Sequence, residues 1–180
     1  MSRQKNRFLT LCAAATTALM LAGTAQAVDL RSWDHKINDV TKRFIVLPAF
    51  KSEAVLDKET QLVWQRSPRT FKTQWIGAFT GCLHTPIGGR SGWRLPTAEE
   101  LTSLQIPLAS GAYTLPSGHP FLDVQNHFYW TATSHPNNAL GFAYGVNPTA
   151  APAVSHLGVF QKSEVGHIWC VRGGHGYDGQ

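Results

Sequence analysis

"GGRSGWRLPTAEEL" spans residues 88–101, and the fold turns on whether it is a phosphate-cradling loop, a cluster of catalytic groups or scaffold. Its glycines follow neither G-x-G-x-x-G nor G-x-x-x-x-G-K-[ST], the spacings that let successive backbone N–H groups surround a phosphate. They read instead as a tight turn into a short strand, "GWRLP". Alternate side chains of a strand share a face, so Trp93 and Leu95 point one way, into the core, and Arg94 the other. An ion pair, buried or half-buried, is expected for Arg94. Thr97 and Glu100 stand in the T-x-x-E spacing of a capping box, in which the threonine hydroxyl accepts from the Glu100 N–H and the glutamate accepts from the Thr97 N–H. Pro96 precedes the cap, where a missing donor costs little. Leu101 and Leu104 then form the apolar stripe of a helix that Pro107 stops. Glu99 and Glu100 diverge by about 100° on that helix and cannot face one another as acid and base.

Upstream, "AVLDKETQLVWQRS" (54–67) reads as a hairpin whose arms flank a turn at Lys58–Gln61, with Trp64 on the core side. "RFIVLPAF" (43–50) is strand-like, and residues 28–42 read as a polar N-terminal arm. "TFKTQWIGAFTGCL" (70–83) is a helix candidate, because Trp75, Ala78, Phe79 and Cys82 fall at i, i+3, i+4 and i+7. Gly77 and Gly81 weaken it by up to about 1 kcal/mol each. Downstream, residues 107–128 are rich in Pro, Gly and Ser and form a long irregular segment. Strand-like runs follow at 129–134, 141–147, 153–160 and 167–173, which predict a closing antiparallel meander. Strands, two helices, a long loop region and strands again define an α+β fold.

Residues 1–27 have the form of a signal peptide: a basic start, the apolar run "FLTLCAAATTALMLAG" and a small-x-small end, with cleavage expected after Ala27. Leu11 before Cys12 does not suit lipoprotein processing, so no lipid anchor is expected, nor a stable membrane span after cleavage. The first 27 residues hold three of the 16 Lys and Arg and none of the 11 Asp and Glu, so +5 falls to +2 on their removal. The basic balance thus belongs mostly to the leader, and nucleic acid is not an implied partner. Cys82 and Cys170 remain after cleavage. In an exported chain two cysteines read as one disulfide, worth roughly 4 kcal/mol for a loop of about 90 residues. Two free thiols or a metal pair are the alternative, although no CxxC or cysteine–histidine spacing favours it.

The eight histidines, at 35, 84, 119, 127, 135, 156, 167 and 175, contain no HxH, HxxxH or HExxH pair, so neither metal nor another cofactor is expected. There is no Asp/Asn-rich calcium loop and no G-x-S-x-G elbow, and the chain is read as non-catalytic.

"AVLDKETQLVWQ", "GGRSGWRLPTAEEL", "LPSGHPF", "YWTATS" and "WCVRGG", in that order, resemble the motifs of the Lcl C-terminal-type domain, a bacterial domain of unknown function named after the end of a secreted collagen-like adhesin. The likeness covers residues 43–174 and leaves 175–180 as a tail. It makes Trp64, Trp93, Arg94, Leu95, Pro96, Thr97, Glu100, Trp130 and Trp169 the structural signature. Gln61 stands where the family's turn usually has glycine, which puts the geometry of that turn in question. The resemblance implies a C-type-lectin-like fold in which a cysteine late in the first helix, here Cys82, pairs with one on the last strand, here Cys170. "WRLPTAEEL" is also similar to a segment of formylglycine-generating enzymes, but this chain has no spare cysteine for their chemistry. The calcium signatures of the lectins are absent too. What the resemblance supports is an exported binding module, recognising a polysaccharide or another surface ligand through loops 107–128 and 134–156. His119, His127, His135, Asn137, Asn138 and Tyr144 are the candidate contacts there. A structural partner in the cell envelope, with homo-oligomers possible through exposed aromatics, is the competing reading, and an enzyme of the formylglycine type comes third.

Overall fold

The protein is described by a computed structural model covering residues 36–149 and 156–174. The leader, the first part of the arm, residues 150–155 and the tail from 175 lie outside the described residues. No helix among the described residues is long and apolar enough to cross a membrane.

The capping box forms as its spacing requires. Thr97 Oγ1 accepts from the Glu100 N–H at 3.2 Å and Glu100 Oε2 accepts from the Thr97 N–H at 2.9 Å. The helix it starts (α3, Ala98–Ser103) ends sooner than Pro107, with Leu104 as its C-cap. Leu101 and Leu104 are fully buried, and each contributes about 1.5–3 kcal/mol by that burial.

The hairpin also forms, as β2 (Ala54–Asp57) and β3 (Leu62–Gln65), the second arm ending one residue before the expected LVWQR does. Its turn closes without glycine because Gln61 itself takes the left-handed conformation, φ 62°. The strand-like run at 43–50 is shorter than expected: β1 (Phe44–Val46) pairs with β2, and Pro48 then turns residues 48–50 into a 3₁₀ helix. Within the arm, Val40–Arg43 form a one-turn helix (α1) capped by Asp39.

The expected helix over 70–83 is in part a correction. Residues 69–73, RTFKT, are a strand (β4), and the helix (α2) runs Trp75–His84. β-branched and aromatic side chains in 70–73 favour the extended state, and pairing with a later strand decides it. Ala78 and Cys82 are buried as the period predicts, but Phe79 is exposed and stacks on Trp75, centroids 5.4 Å apart. The two glycines differ: a Cβ would fit at Gly81 in ordinary contact, 3.6 Å from Ile168, but at Gly77 it would overlap the Thr73 hydroxyl.

After α3 come a minimal ladder of β5 (Ile106–Pro107) with β6 (Tyr113–Thr114), then β7 (Tyr129–Ser134), β8 (Phe142–Val146), β9 (Leu157–Gln161), β10 (Gly166–Ile168) and β11 (Val171–Arg172). β7, β8 and β9 do form an antiparallel meander, but the closing strands leave it. β10 inserts between β4 and β7, antiparallel to the first and parallel to the second, so the sheet is mixed and ordered β4-β10-β7-β8-β9. β11 crosses to the other sheet, ordered β1-β2-β3-β11, and the Arg94 backbone bridges to Val171 beyond it. The run predicted as one strand, 167–173, is therefore two short strands in two sheets.

Between them sit Trp169 and Cys170, both fully buried. Trp169 packs edge-on to Trp64 at 5.9 Å and to Phe121 at 5.1 Å, and donates from Nε1 to the Gln65 carbonyl at 2.8 Å. Cys170 is disulfide-bonded to Cys82, Cα–Cα 5.4 Å, which ties α2 to the strand junction. Beneath the meander the Phe128 and Phe160 rings stack at 3.7 Å over Gly145, Gly158 and Gly166, where any Cβ would enter a ring. The architecture is thus a mixed, mostly sheet α+β fold with one disulfide.

Candidate functional site

The charged and hydroxyl groups at the centre of the 88–101 segment, Arg94, Thr97 and Glu100, have structural partners. Arg94 donates from Nη1 and Nη2 to the two Glu100 carboxylate oxygens, both at 2.7 Å, and from Nη2 to the Gly173 carbonyl at 2.7 Å. The side chains are 22% and 13% exposed, so this is the half-buried pair expected for Arg94. Trp93 and Leu95 are buried, and the Trp93 Nε1 donates to the Arg90 carbonyl. Pro96 accepts through its carbonyl from the Ala132 N–H at 2.7 Å, fastening the segment to β7. Gly88, at φ 60°, donates to Glu53 Oε2 and leaves no room for a side chain against the Phe50 carbonyl. Trp64 and Trp130 of the signature are fully buried as well, and Trp130 donates to the Thr73 carbonyl.

The proposed contact residues fall into three groups. His135, Asn137 and Asn138 sit in the β7–β8 turn, and the Tyr144 ring on β8 lies 5.8 Å from that of His135. Asn138 is occupied by the turn itself, accepting through Oδ1 from the Gly141 N–H at 3.0 Å. His127 packs on Phe128 and, at 5.7 Å, on His167. His119 packs on Phe121, with its Nδ1 buried and unpartnered, and burial lowers its pKa. His167 was not singled out from the sequence, yet it is the buried histidine of the set. Burial lowers its pKa, against hydrogen bonding to the Arg69 carbonyl. No group of three or more His, Cys, Asp or Glu placed to hold a metal occurs among the described residues.

A recess of about 320 Å³ opens instead at the end of the hairpin, lined among others by Glu53, Arg66, Ser67, Thr85, Ile87 and Leu122. The register builds it: Ala54 pairs with Gln65, which sets Glu53 and Arg66 opposite each other one step beyond the ladder. Arg66 is locked by donating to the Pro120 carbonyl at 3.1 Å and the Ser52 carbonyl at 3.2 Å. The loop at 120–123 is pinned to it by Leu122 N–H to Arg66 C=O at 2.9 Å and by Ser67 Oγ to Asp123 Oδ2 at 2.8 Å. The lining is mostly apolar surface, from Pro86, Ile87 and Leu122 among others, with a polar minority, and can hold a ligand with an apolar face and a few hydroxyls. Sequence reasoning did not single out this juxtaposition: Arg66 ends the expected second arm, LVWQR, while Glu53 lies just before the first.

Sequence reasoning also missed the buried pair of Arg43 with Asp57. Arg43 Nε and Nη2 reach the two Asp57 oxygens at 3.0 and 2.8 Å, and Nη2 also reaches the Ser103 carbonyl at 2.7 Å. It joins the first sheet to α3 and lines a second recess, of about 250 Å³, with Ile37, Val40 and Ile106.

The family profile of the Lcl C-terminal domain matches residues 53–172, and the chain belongs to that family. No curated protein matches the chain.

Proposed function

We propose that this chain is an exported, non-catalytic binding module with a C-type-lectin-like fold, which engages a glycan or a similar hydroxyl-rich surface ligand. The observation that carries the reading is the Glu53–Arg66 recess, whose shape is held by the hairpin register and whose mostly apolar lining includes Leu122 of the 107–128 loop. Loop 134–156 is the second recognition element of the proposal, through His135, Asn137 and Tyr144. The lectin-like assignment is supported by the disulfide joining the eighth residue of α2 to the strand junction, and by the pairing of N-terminal strands with the last one. The non-catalytic assignment is supported by the Arg94–Glu100 and Thr97–Glu100 bonds, which commit the signature's charged groups to the scaffold.

A glycan array, with a heparin column at low and moderate salt beside it, tests the proposal. Retention on a neutral or weakly charged glycan, lost in Leu122→Asp with an unchanged melting temperature, is the expected result. Absence of retention on both supports would remove the proposal.

A further inference from the structure

A second surface goes beyond that reading. α2 is amphipathic in an unusual sense, because its outer face is apolar too. Ile76, Phe79 and Leu83, at i, i+3 and i+7, fall within about 60° on the helix wheel, and they are 58%, 40% and 54% exposed. Phe71 of β4 extends the patch at 54% exposure. Its placement follows from the contacts at the two ends of β4. Thr73 abuts Gly77 near the start of α2, and Arg69 Nη2 donates to Thr85 Oγ1 just past its end, 2.6 Å away. Arg69 and Thr73 thus reach α2 from the two ends of β4, and Phe71, between them, lies under the Arg69 guanidinium. Trp75, stacked on Phe79, closes the other side.

The rim of this face is cationic. From Thr60 to Ala98 the chain has no Asp or Glu, while it holds Arg66, Arg69, Lys72, Arg90 and Arg94. Arg66, Arg90 and Arg94 are engaged away from α2, on carbonyls, the Phe50 ring and Glu100. Arg69 lies over the Phe71 ring at 5.4 Å and His84 ends the helix; Lys162 lies over the Trp75 ring at 3.7 Å while donating to Ser134 Oγ and the Ala139 carbonyl, neutral acceptors that leave its charge in place. Lys72 is exposed on the same edge strand. An apolar helical face with a basic rim matches a surface that offers hydrocarbon behind negative headgroups. A second copy does not match it, since two such faces brought together would oppose Arg69, His84 and Lys162 with their own kind.

We infer that the outer face of α2, with Phe71, docks the protein on an anionic lipid surface. The helix lies in the headgroup plane, its three apolar side chains and Phe71 entering the acyl boundary while Arg69 and Lys162 meet the phosphates. It does not span the bilayer.

Vesicle flotation tests this with the full chain as an exporting host delivers it, its N terminus read by mass. Phosphatidylcholine vesicles with and without phosphatidylglycerol are compared at low and high salt; the neutral arm reports lipid binding by any other apolar segment. Binding that depends on phosphatidylglycerol and falls with salt is expected. The double variant Ile76→Ser, Leu83→Ser should weaken it by about tenfold or more, with a melting temperature lowered by only a few degrees because both side chains are more than half exposed. Equal binding of variant and wild type, or no dependence on phosphatidylglycerol, would overturn the inference. A dimer seen by light scattering and dissolved by the variant would assign the face to a second copy and overturn it equally.

Discussion

At the scale of the residue, Arg94 shows how a motif can look catalytic and be structural. Its guanidinium spans a carboxylate and a backbone carbonyl, and the carboxylate is already the acceptor of a helix cap. Removing the arginine therefore unpairs Glu100 and loosens the entry of α3 together. Arg94→Ala is expected to cost about 2 kcal/mol, which lowers the melting temperature by roughly 4–8 °C in a chain of this size. Arg94→Lys should recover only part, since one ammonium cannot reproduce the fork. An unchanged melting temperature for Arg94→Ala in a thermal scan would contradict the role. An ion pair for Arg94 was legible because strand alternation left it alone on its face; that Glu100, read only as a cap residue, is its partner was not. The Arg43–Asp57 pair was not, because it depends on the partner of β1, and nothing local fixes which strand that is.

At the scale of the element, turns and helix faces carried different amounts of information. The hairpin was readable from alternation, and its bounds follow the predicted arms to within one residue. Its turn shows that a φ above zero was needed even though the sequence has Gln61 there. A non-glycine residue in that conformation costs about 1–2 kcal/mol, and glycine returns part of this as chain entropy in the unfolded state. Gln61→Gly is therefore expected to stabilise the fold by roughly 0.5 kcal/mol, a rise of about 1–2 °C in melting temperature. A fall would mean that the Gln61 Nε2 bond to the Lys58 carbonyl outweighs the strain. The helix read over 70–83 fared differently. Its period was real from Trp75 onward, but β4 is made by pairing with a strand nearly 100 residues later, and a local pattern cannot carry that. Phe79 was misassigned for a related reason: α2 buries one stripe and exposes another apolar one, so periodicity alone could not say which faces the core.

At the scale of the whole molecule, two histidines set the response to acid. His167 and His119 both have pKa values lowered from 6.5 by burial, and His167 faces His127 and Lys72 besides. As pH falls, the unfolded chain takes up protons at these positions before the folded one does. Their contribution is therefore fully present above 6.5 and is lost as pH falls through that value toward the folded pKa values. The melting temperature should decline between about pH 7 and pH 5.5, before most carboxylates titrate; a rise over that interval would refute the assignment. The α+β class and the residues of the disulfide were legible, whereas the order of strands was not, since β10 and β11 are too short to show a period of their own. Their position has a consequence for how the chain is made. Residues 166–172 supply an inner strand of one sheet and an edge strand of the other, and they carry the cysteine that locks α2. Until this segment has been made, β4 lacks its sheet neighbour and Cys82 its partner, so the chain before it cannot close the fold during synthesis.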